Sequence, residues 1–285
     1  MPSIVLVGPW ERCLTSGITG YIRYVTELRE SINDLKVIFS SMDPPGTIPD
    51  GIFDDVVSNK ISDITGREVC LENQTARFYA YNSYTGTQLC GAGTVIRVRS
   101  DLKIKNIAAL NMLLDVIDKY PNNLAIDFTR EHNNILPFNY SDFLVAGKQE
   151  KLLSLFDISL RGPKISRLSI LPLTSHIAGL TRGVMTNEQY LWYGYFCDEK
   201  NQSRKVDSLI NIILSFMFSR NQLFLINREV LFEFHKKYNN KKFISKIDFS
   251  KPSRVSIKIL FITIYKGFLS YYIKSIQHLI SKVIG

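Results

Sequence analysis

Ile4-Val5-Leu6-Val7-Gly8-Pro9, followed by the segment that ends in Lys36-Val37-Ile38-Phe39-Ser40, decides how this chain folds. Four consecutive apolar residues closed by Gly-Pro read as a buried strand. A glycine-punctuated loop comes next (Ser16-Gly17, Thr19-Gly20), and Ile22, Val25, Leu28 and Ile32 then recur at helical spacing. Lys36 to Ser40 is a second strand. The order strand, loop, helix, strand is the opening of an α/β sheet with parallel strands.

The same reading extends outward. Met42 to Asp50 is a Pro/Gly-rich connection, and Asp54 to Val57 is a third short strand. Leu71 to Leu89 has helical periodicity, weakened near its end by Gly86. Thr94 to Arg99 is rich in β-branched residues and reads as a strand. Val95, Arg97 and Arg99 share one face of it, and Thr94, Ile96 and Val98 the other. Asp101 then falls at the strand's C-terminal mouth. Asn106 is a helix N-cap for a helix running to Lys119. Leu124 to Ile126 is a short strand, Pro137 to Asp142 a loop, and Thr186 with Gln189 has capping-box spacing. Arg204 to Phe218 and Arg228 to Tyr238 read as helices joined by the apolar Leu223 to Ile226. The expected organisation is an α/β domain over 1–200, a helical extension over 201–252 and an amphipathic helix over 253–285.

Charge divides the chain along that scheme. Of 35 Lys+Arg and 26 Asp+Glu in 285 residues, 16 basic and 4 acidic residues lie from Lys200 onward, against 19 and 22 before it. A basic tail behind a near-neutral body points to an anionic surface. Past Ser253, Phe261, Ile264, Tyr265, Phe268, Tyr272, Ile276 and Leu279 share one helical side, with Lys266, Lys274 and Gln277 opposite. Lys258, Lys266, Lys274 and Lys282 interrupt the segment too often for a bilayer span, so it is expected to lie in a membrane interface. Met1-Pro2-Ser3 lacks the basic start of a signal peptide. Four dispersed cysteines exclude a sequence-obvious zinc ribbon or redox motif and fit a reducing cytosol.

Three places offer chemistry. Arg97-Val98-Arg99-Ser100-Asp101 sits where α/β sheets bind ligands, with arginines suited to phosphate and a carboxylate suited to a metal or a sugar hydroxyl. The competing reading is an Arg–Asp ion pair that stabilises a strand end. Asp142, in Tyr140-Ser141-Asp142-Phe143, suits a general base or a capping turn. Glu188 suits a base or a first-turn acid that complements the helix dipole. The glycines after the first strand lack the lysine of a P-loop, the four histidines show no ligand spacing, and no serine elbow is present. The basic tail carries no nucleic-acid recognition motif, and nucleic acid is not an expected partner.

At several of these residues, in the same order, the chain resembles the WavE-type lipopolysaccharide-synthesis family of glycosyltransferases. The resemblance runs from Val5-Leu6-Val7-Gly8-Pro9 through Lys36-Val37-Ile38-Phe39-Ser40-Ser41, then Asn73, Gln74 and Arg77. It continues in Val95-Ile96-Arg97-Val98-Arg99-Ser100-Asp101-Leu102, then Ser141-Asp142-Phe143 with Gly147, and ends in Glu188-Gln189-Tyr190-Leu191. It covers roughly residues 3 to 197 and departs at Phe78, at Phe143 where tryptophan is common, and near Asp55, which lacks an Asp-Pro pair. It implies a GT-A-like nucleotide-binding sheet flanked by helices, and transfer of a sugar from a nucleotide-sugar donor to a lipid-linked cell-surface glycan. Arg77, Arg97, Arg99 and Asp101 are the implied donor-side residues, and Asp142 and Glu188 the two candidate bases. Ser100-Asp101 is not a full D-x-D, so a divalent cation (Mg or Mn) on Asp101 stays open. The implied place of work is cytoplasmic, on the anionic inner-membrane surface. Competing readings are a nucleotidyl- or phosphosugar transferase on the same sheet, and a non-catalytic membrane-bound scaffold of glycan assembly.

Overall fold

The computed structural model describes residues 1–63, 74–128, 143–161, 192, 195, 209–233, 253–254, 261, 265, 269, 272–273 and 276–277. Strand β1 (Ser3–Val7) leads through a 3-10 segment (Trp10–Ser16) into α1 (Gly17–Ser31), and β2 (Lys36–Ser41) and β3 (Asp55–Ser58) follow. Helix α2 (Gln74–Gln88) crosses to β4 (Thr94–Arg99), and the short β5 (Lys103–Ile104) precedes α3 (Ile107–Lys119). Beyond come β6 (Leu124–Phe128), β7 (Leu144–Lys148), α4 (Gln149–Arg161), α5 (Leu209–Gln222) and β8 (Leu223–Asn227). The short elements α6 (Arg228–Leu231), β9 (Phe232–Glu233) and β10 (Ser253–Arg254) complete the described order.

Among the described residues the main sheet has eight strands in the order β10-β8-β6-β7-β4-β1-β2-β3, and β5 pairs with β9 in a separate two-stranded ladder. Strands β1 to β4 run parallel to their neighbours within that group, as expected from the opening of the chain. Strand β7 runs antiparallel to both β4 and β6, so the sheet is mixed.

Both faces of the sheet are covered, which is why its strands read as apolar runs instead of alternating ones. On one face Ile4, Leu6, Val37, Phe39, Ile96 and Val98 pack with Tyr21, Val25 and Leu28 of α1 and Leu110, Leu113 and Ile117 of α3. The Asn106 side chain caps α3 by accepting from the Ala109 amide at 3.0 Å, as its sequence predicts. On the other face lie α2 and α4. Gly86 lets α2 approach closely: a Cβ there would stand 2.5 Å from Val5 Cγ1 and 3.0 Å from Ser40 Cβ. The glycine costs helix propensity and permits the contact with the sheet.

Four expectations change, the first being the helix read over Arg228 to Tyr238, which stops at Leu231 because Phe232–Glu233 pairs as a strand with β5. Gly17 to Gly20 is helical and opens α1, because the 3-10 segment before it has already made the turn away from β1. Leu223 to Asn227 is a strand parallel to β6, so the sheet takes in residues that the sequence assigns to a helical extension over 201–252. Its buried run Leu223-Phe224-Leu225-Ile226 is short enough for a covered strand, a pattern periodicity cannot separate from a buried helix. Ser253–Arg254, the first two residues of the expected amphipathic helix, instead add an antiparallel edge beside Phe224 and Leu225.

Candidate functional site

From β1 the chain winds through α1 to β2 and β3 on one side, then returns through α2 to β4 on the other side of β1. The carboxyl ends of β1 and β4 therefore flank a topological switch point, where open α/β sheets leave a crevice for ligands. Gly8 follows β1 there with φ of 141°, and its amide donates to the Ser40 carbonyl at 3.2 Å. That φ is one that L side chains rarely adopt, and a Cβ on Gly8 would stand 2.5 Å from Ser100 Oγ, so glycine suits the close approach of the two strand ends. The Ser100 amide donates to the Val7 carbonyl at 2.9 Å and locks that approach. Beyond β2, Asp43 Oδ2 accepts from the Trp10 amide at 2.7 Å and pins the loop that leaves β1.

Arg99 and Asp101 form a bidentate pair at this mouth. Nε donates to Oδ1 at 3.0 Å and Nη2 to Oδ2 at 2.6 Å, with both side chains about a quarter open to solvent. The geometry is that of the ion pair weighed against a ligand role. A carboxylate has about four lone-pair sites, so accepting two bonds from Arg99 still leaves Asp101 able to accept from a hydroxyl. The Arg99 guanidinium also lies 4.2 Å from the centre of the Phe143 ring. Arg228, from the start of α6, lies 3.7 Å from the same ring. Nε of Arg228 donates to the buried Asp127 at the end of β6, and Asp127 Oδ1 in turn accepts from the Leu144 amide at 2.8 Å. One side of the mouth is thus a connected set of two arginines, an aromatic ring and two carboxylates.

The remaining predicted residues lie elsewhere. Arg97 is fully buried between the sheet and α2, with its guanidinium 3.8 Å over the Tyr79 ring and Nε donating to Ser83 Oγ at 3.2 Å. It supports β4 from beneath and is two residues removed from the mouth. Arg77 belongs to the first turn of α2. Asp142 and Glu188 lie outside the described residues. Among the described residues no group of three or more His, Cys, Asp or Glu gathers in a way that could hold a cation. Asp101, the sequence-predicted ligand for a cation, accepts from Arg99 at both oxygens and has no such group gathered around it among the described residues.

Nor does the mouth contain a thiol nucleophile. Cys13, at the back of the 3-10 segment, has its pKa pushed up to about 12, chiefly by burial, and stays protonated at neutral pH. An open groove of about 490 Å³ between α1 and β5 is lined by Arg23, Tyr24, Glu27, Lys103 and Lys105. Burial raises the pKa of Tyr24 well above its ordinary value, and its hydroxyl accepts from the Ile104 amide at 3.1 Å.

Sequence reasoning missed Asp43, Asp127, Phe143 as a stacking ring, and Arg228. For Asp127 a signal was present: a carboxylate closing the apolar run Leu124-Ala125-Ile126 obeys the same strand-end rule that singled out Asp101.

No protein-family model matches the chain, and no curated protein does. Among solved structures it is similar to a "putative nucleotide-diphospho-sugar transferase" from Desulfovibrio desulfuricans G20. The two share 7% identity at a TM-score of 0.31, with 70% of this chain and 75% of that chain covered. A likeness that loose does not establish a common fold. The mouth is therefore interpreted from its own residues.

Proposed function

We propose that this chain is a glycosyltransferase that moves a sugar from a nucleotide-sugar donor to a lipid-linked cell-surface glycan of lipopolysaccharide core or O-antigen type. The observation that carries the reading is the switch point at the carboxyl ends of β1 and β4, where Gly8 abuts Ser100 and the Arg99–Asp101 pair stands. The order of motifs shared with WavE-type proteins, within a GT-A-like reading of the sheet, supplies the class of donor and acceptor. In the reaction the bond between the anomeric carbon and the donor diphosphate breaks, and a bond to an acceptor hydroxyl forms. The hydroxyl proton passes to a base, and the leaving diphosphate carries away the bonding pair.

Arg99 suits the diphosphate, because a planar guanidinium stabilises the charge that develops on the leaving oxygen. Asp101, oriented by Arg99, suits a donor-sugar hydroxyl. Arg97 acts indirectly by holding β4 against α2, and Arg77 is a further donor-side candidate. Asp142, the residue before Phe143, and Glu188 are the two candidate bases. The work is assigned to the cytoplasmic side of the inner membrane, where a lipid-linked acceptor is exposed to nucleotide sugars.

Incubation with a panel of nucleotide sugars, with and without added Mg or Mn, tests the reading. Release of nucleoside diphosphate is expected. Pyrophosphate or nucleoside monophosphate would replace the proposal with a nucleotidyl- or phosphosugar transferase, and no turnover with any donor would leave a scaffold. Asp101→Asn is expected to lower turnover by two orders of magnitude or more, roughly the loss of one charged transition-state contact. Its melting temperature is expected to fall by only a few degrees, since a part-exposed pair is worth about 1 kcal/mol or less. A folded variant with full activity would remove Asp101 from the site.

A further inference from the structure

The tail carries a second surface whose chemistry is independent of the mouth at β1 and β4. Phe261, Tyr265, Leu269, Tyr272, Ile273 and Ile276 are helical, and each is between 47% and 67% exposed. At about 100° per residue these six fall on one arc roughly 120° wide. Elsewhere among the described residues, large exposed apolar side chains come singly or as i,i+4 pairs such as Ile18 with Ile22. A contiguous apolar stripe of this size on a soluble surface marks an interaction site. The sequence from 253 to 285 contains five basic residues (Arg254, Lys258, Lys266, Lys274 and Lys282) and no acidic one.

We propose that this stripe docks flat on an anionic lipid bilayer. The charge selects the occupant. A second copy of the tail would bring the same excess of basic residues and no acid to balance it. An anionic headgroup layer supplies the missing countercharge, and the acyl boundary takes up the apolar arc. Tyr265 and Tyr272 have the amphipathic rings that favour the headgroup level. Lys258, Lys266, Lys274 and Lys282 interrupt the segment too often for a bilayer span, so the attachment lies in the plane of the surface. It stands whether or not the chain transfers sugars.

The test uses the full chain and no sugar donor, so its outcome cannot be confused with that of the transfer assay. Vesicles of phosphatidylcholine alone are compared with vesicles holding about a quarter phosphatidylglycerol, at low and high salt. At least about tenfold more protein should sediment with the anionic vesicles, and high salt should reduce the difference. Phe261→Ser, Tyr265→Ser and Ile276→Ser combined should abolish sedimentation and leave the melting transition of the α/β body in place. Equal binding to both lipids, no binding, or unchanged binding by the triple variant overturns the proposal. So does a dimer of the wild type that the triple variant breaks. If the triple variant does not fold, Phe261→Trp gives a direct reading. Its emission should shift to the blue on anionic vesicles, and an unmoved spectrum overturns the proposal.

Discussion

The two faces of the sheet are built from different material. The face under α1 and α3 is almost wholly hydrocarbon and ring, with Trp10, Tyr21, Phe39 and Phe53 meeting at centroid distances between 5.0 and 6.3 Å. The face under α2 carries Ser40, Arg97, Asn82 and Ser83 in buried positions among its apolar residues. Asn59 Nδ2 donates to Asn82 Oδ1 at 2.6 Å, to Thr85 Oγ1 at 2.9 Å and to Ser40 Oγ at 3.3 Å. Apolar area stabilises without regard to direction. A buried polar network is directional: it holds α2 in one register on the sheet, and leaves unsatisfied groups when any member is removed. The mouth depends on both, since Gly8 and Trp10 sit over the apolar face and β4 is braced from the polar one.

The largest effect is expected on the apolar side. Phe39 is fully buried and its ring stands 5.0 Å from Phe53 and 5.7 Å from Trp10. Phe39→Ala should destabilise the protein by about 3 to 5 kcal/mol in chemical denaturation, through lost transfer energy plus the cavity. A loss below about 1 kcal/mol would mean that the aromatic cluster repacks freely, and the contrast between the faces would break. On the polar side, Asn59→Ala should cost about 1 to 3 kcal/mol, because Asn82 and Thr85 lose a buried donor. The sharper measurement is a double-mutant cycle with Asn82→Leu. If direction matters, Asn59→Ala and Asn82→Leu together should cost less than the two single changes added together. Strict additivity would reduce this network to ordinary packing.

The same contrast explains what was legible beforehand. Strands β1, β2 and β4 announce themselves as unbroken apolar or β-branched runs, and the Asn106 cap is a local piece of chemistry. Strand β7 is five residues long with no alternation, and Gly147 within it serves a contact: a Cβ there would stand 2.5 Å from Leu124 Cδ2. Strand β8 resembles a helix joint until β6 is found beside it. The mouth was half visible. Arg99 and Asp101 are two residues apart and could be paired by eye, whereas Asp127 and Arg228 are separated by 101 residues and Trp10 and Asp43 by 33. Pairings of that separation follow from strand order, which a single sequence does not state. Arg97 was picked for the chemistry of its side chain, but it lies two residues short of the end of β4, buried against α2 and away from the rim.

The smallest expected effect lies at the opposite end of β4 from the mouth. Asp118 of α3 accepts at Oδ1 from Lys148 Nζ at 2.6 Å and from Thr94 Oγ1 at 2.6 Å, tying the helix to the first residue of β4 and the last of β7. These two bonds, that of Lys148 first, hold its carboxyl below the ordinary value of 3.8. The sign follows from linkage. A carboxyl with a depressed folded-state pKa contributes stability that is present above its ordinary value and lost as pH falls through the folded one. The Asp118 side chain is 61% exposed, so solvent screens the pair and the contribution is small. Asp118→Asn should therefore lower the melting temperature slightly at neutral pH. The gap between variant and wild type should close as pH falls below 3.8, and narrow in high salt. A gap that persists unchanged in acid would assign the effect to the shape of the Thr94 contact, not to charge. That outcome would make even this exposed corner resemble the directional face of the sheet more than the apolar one.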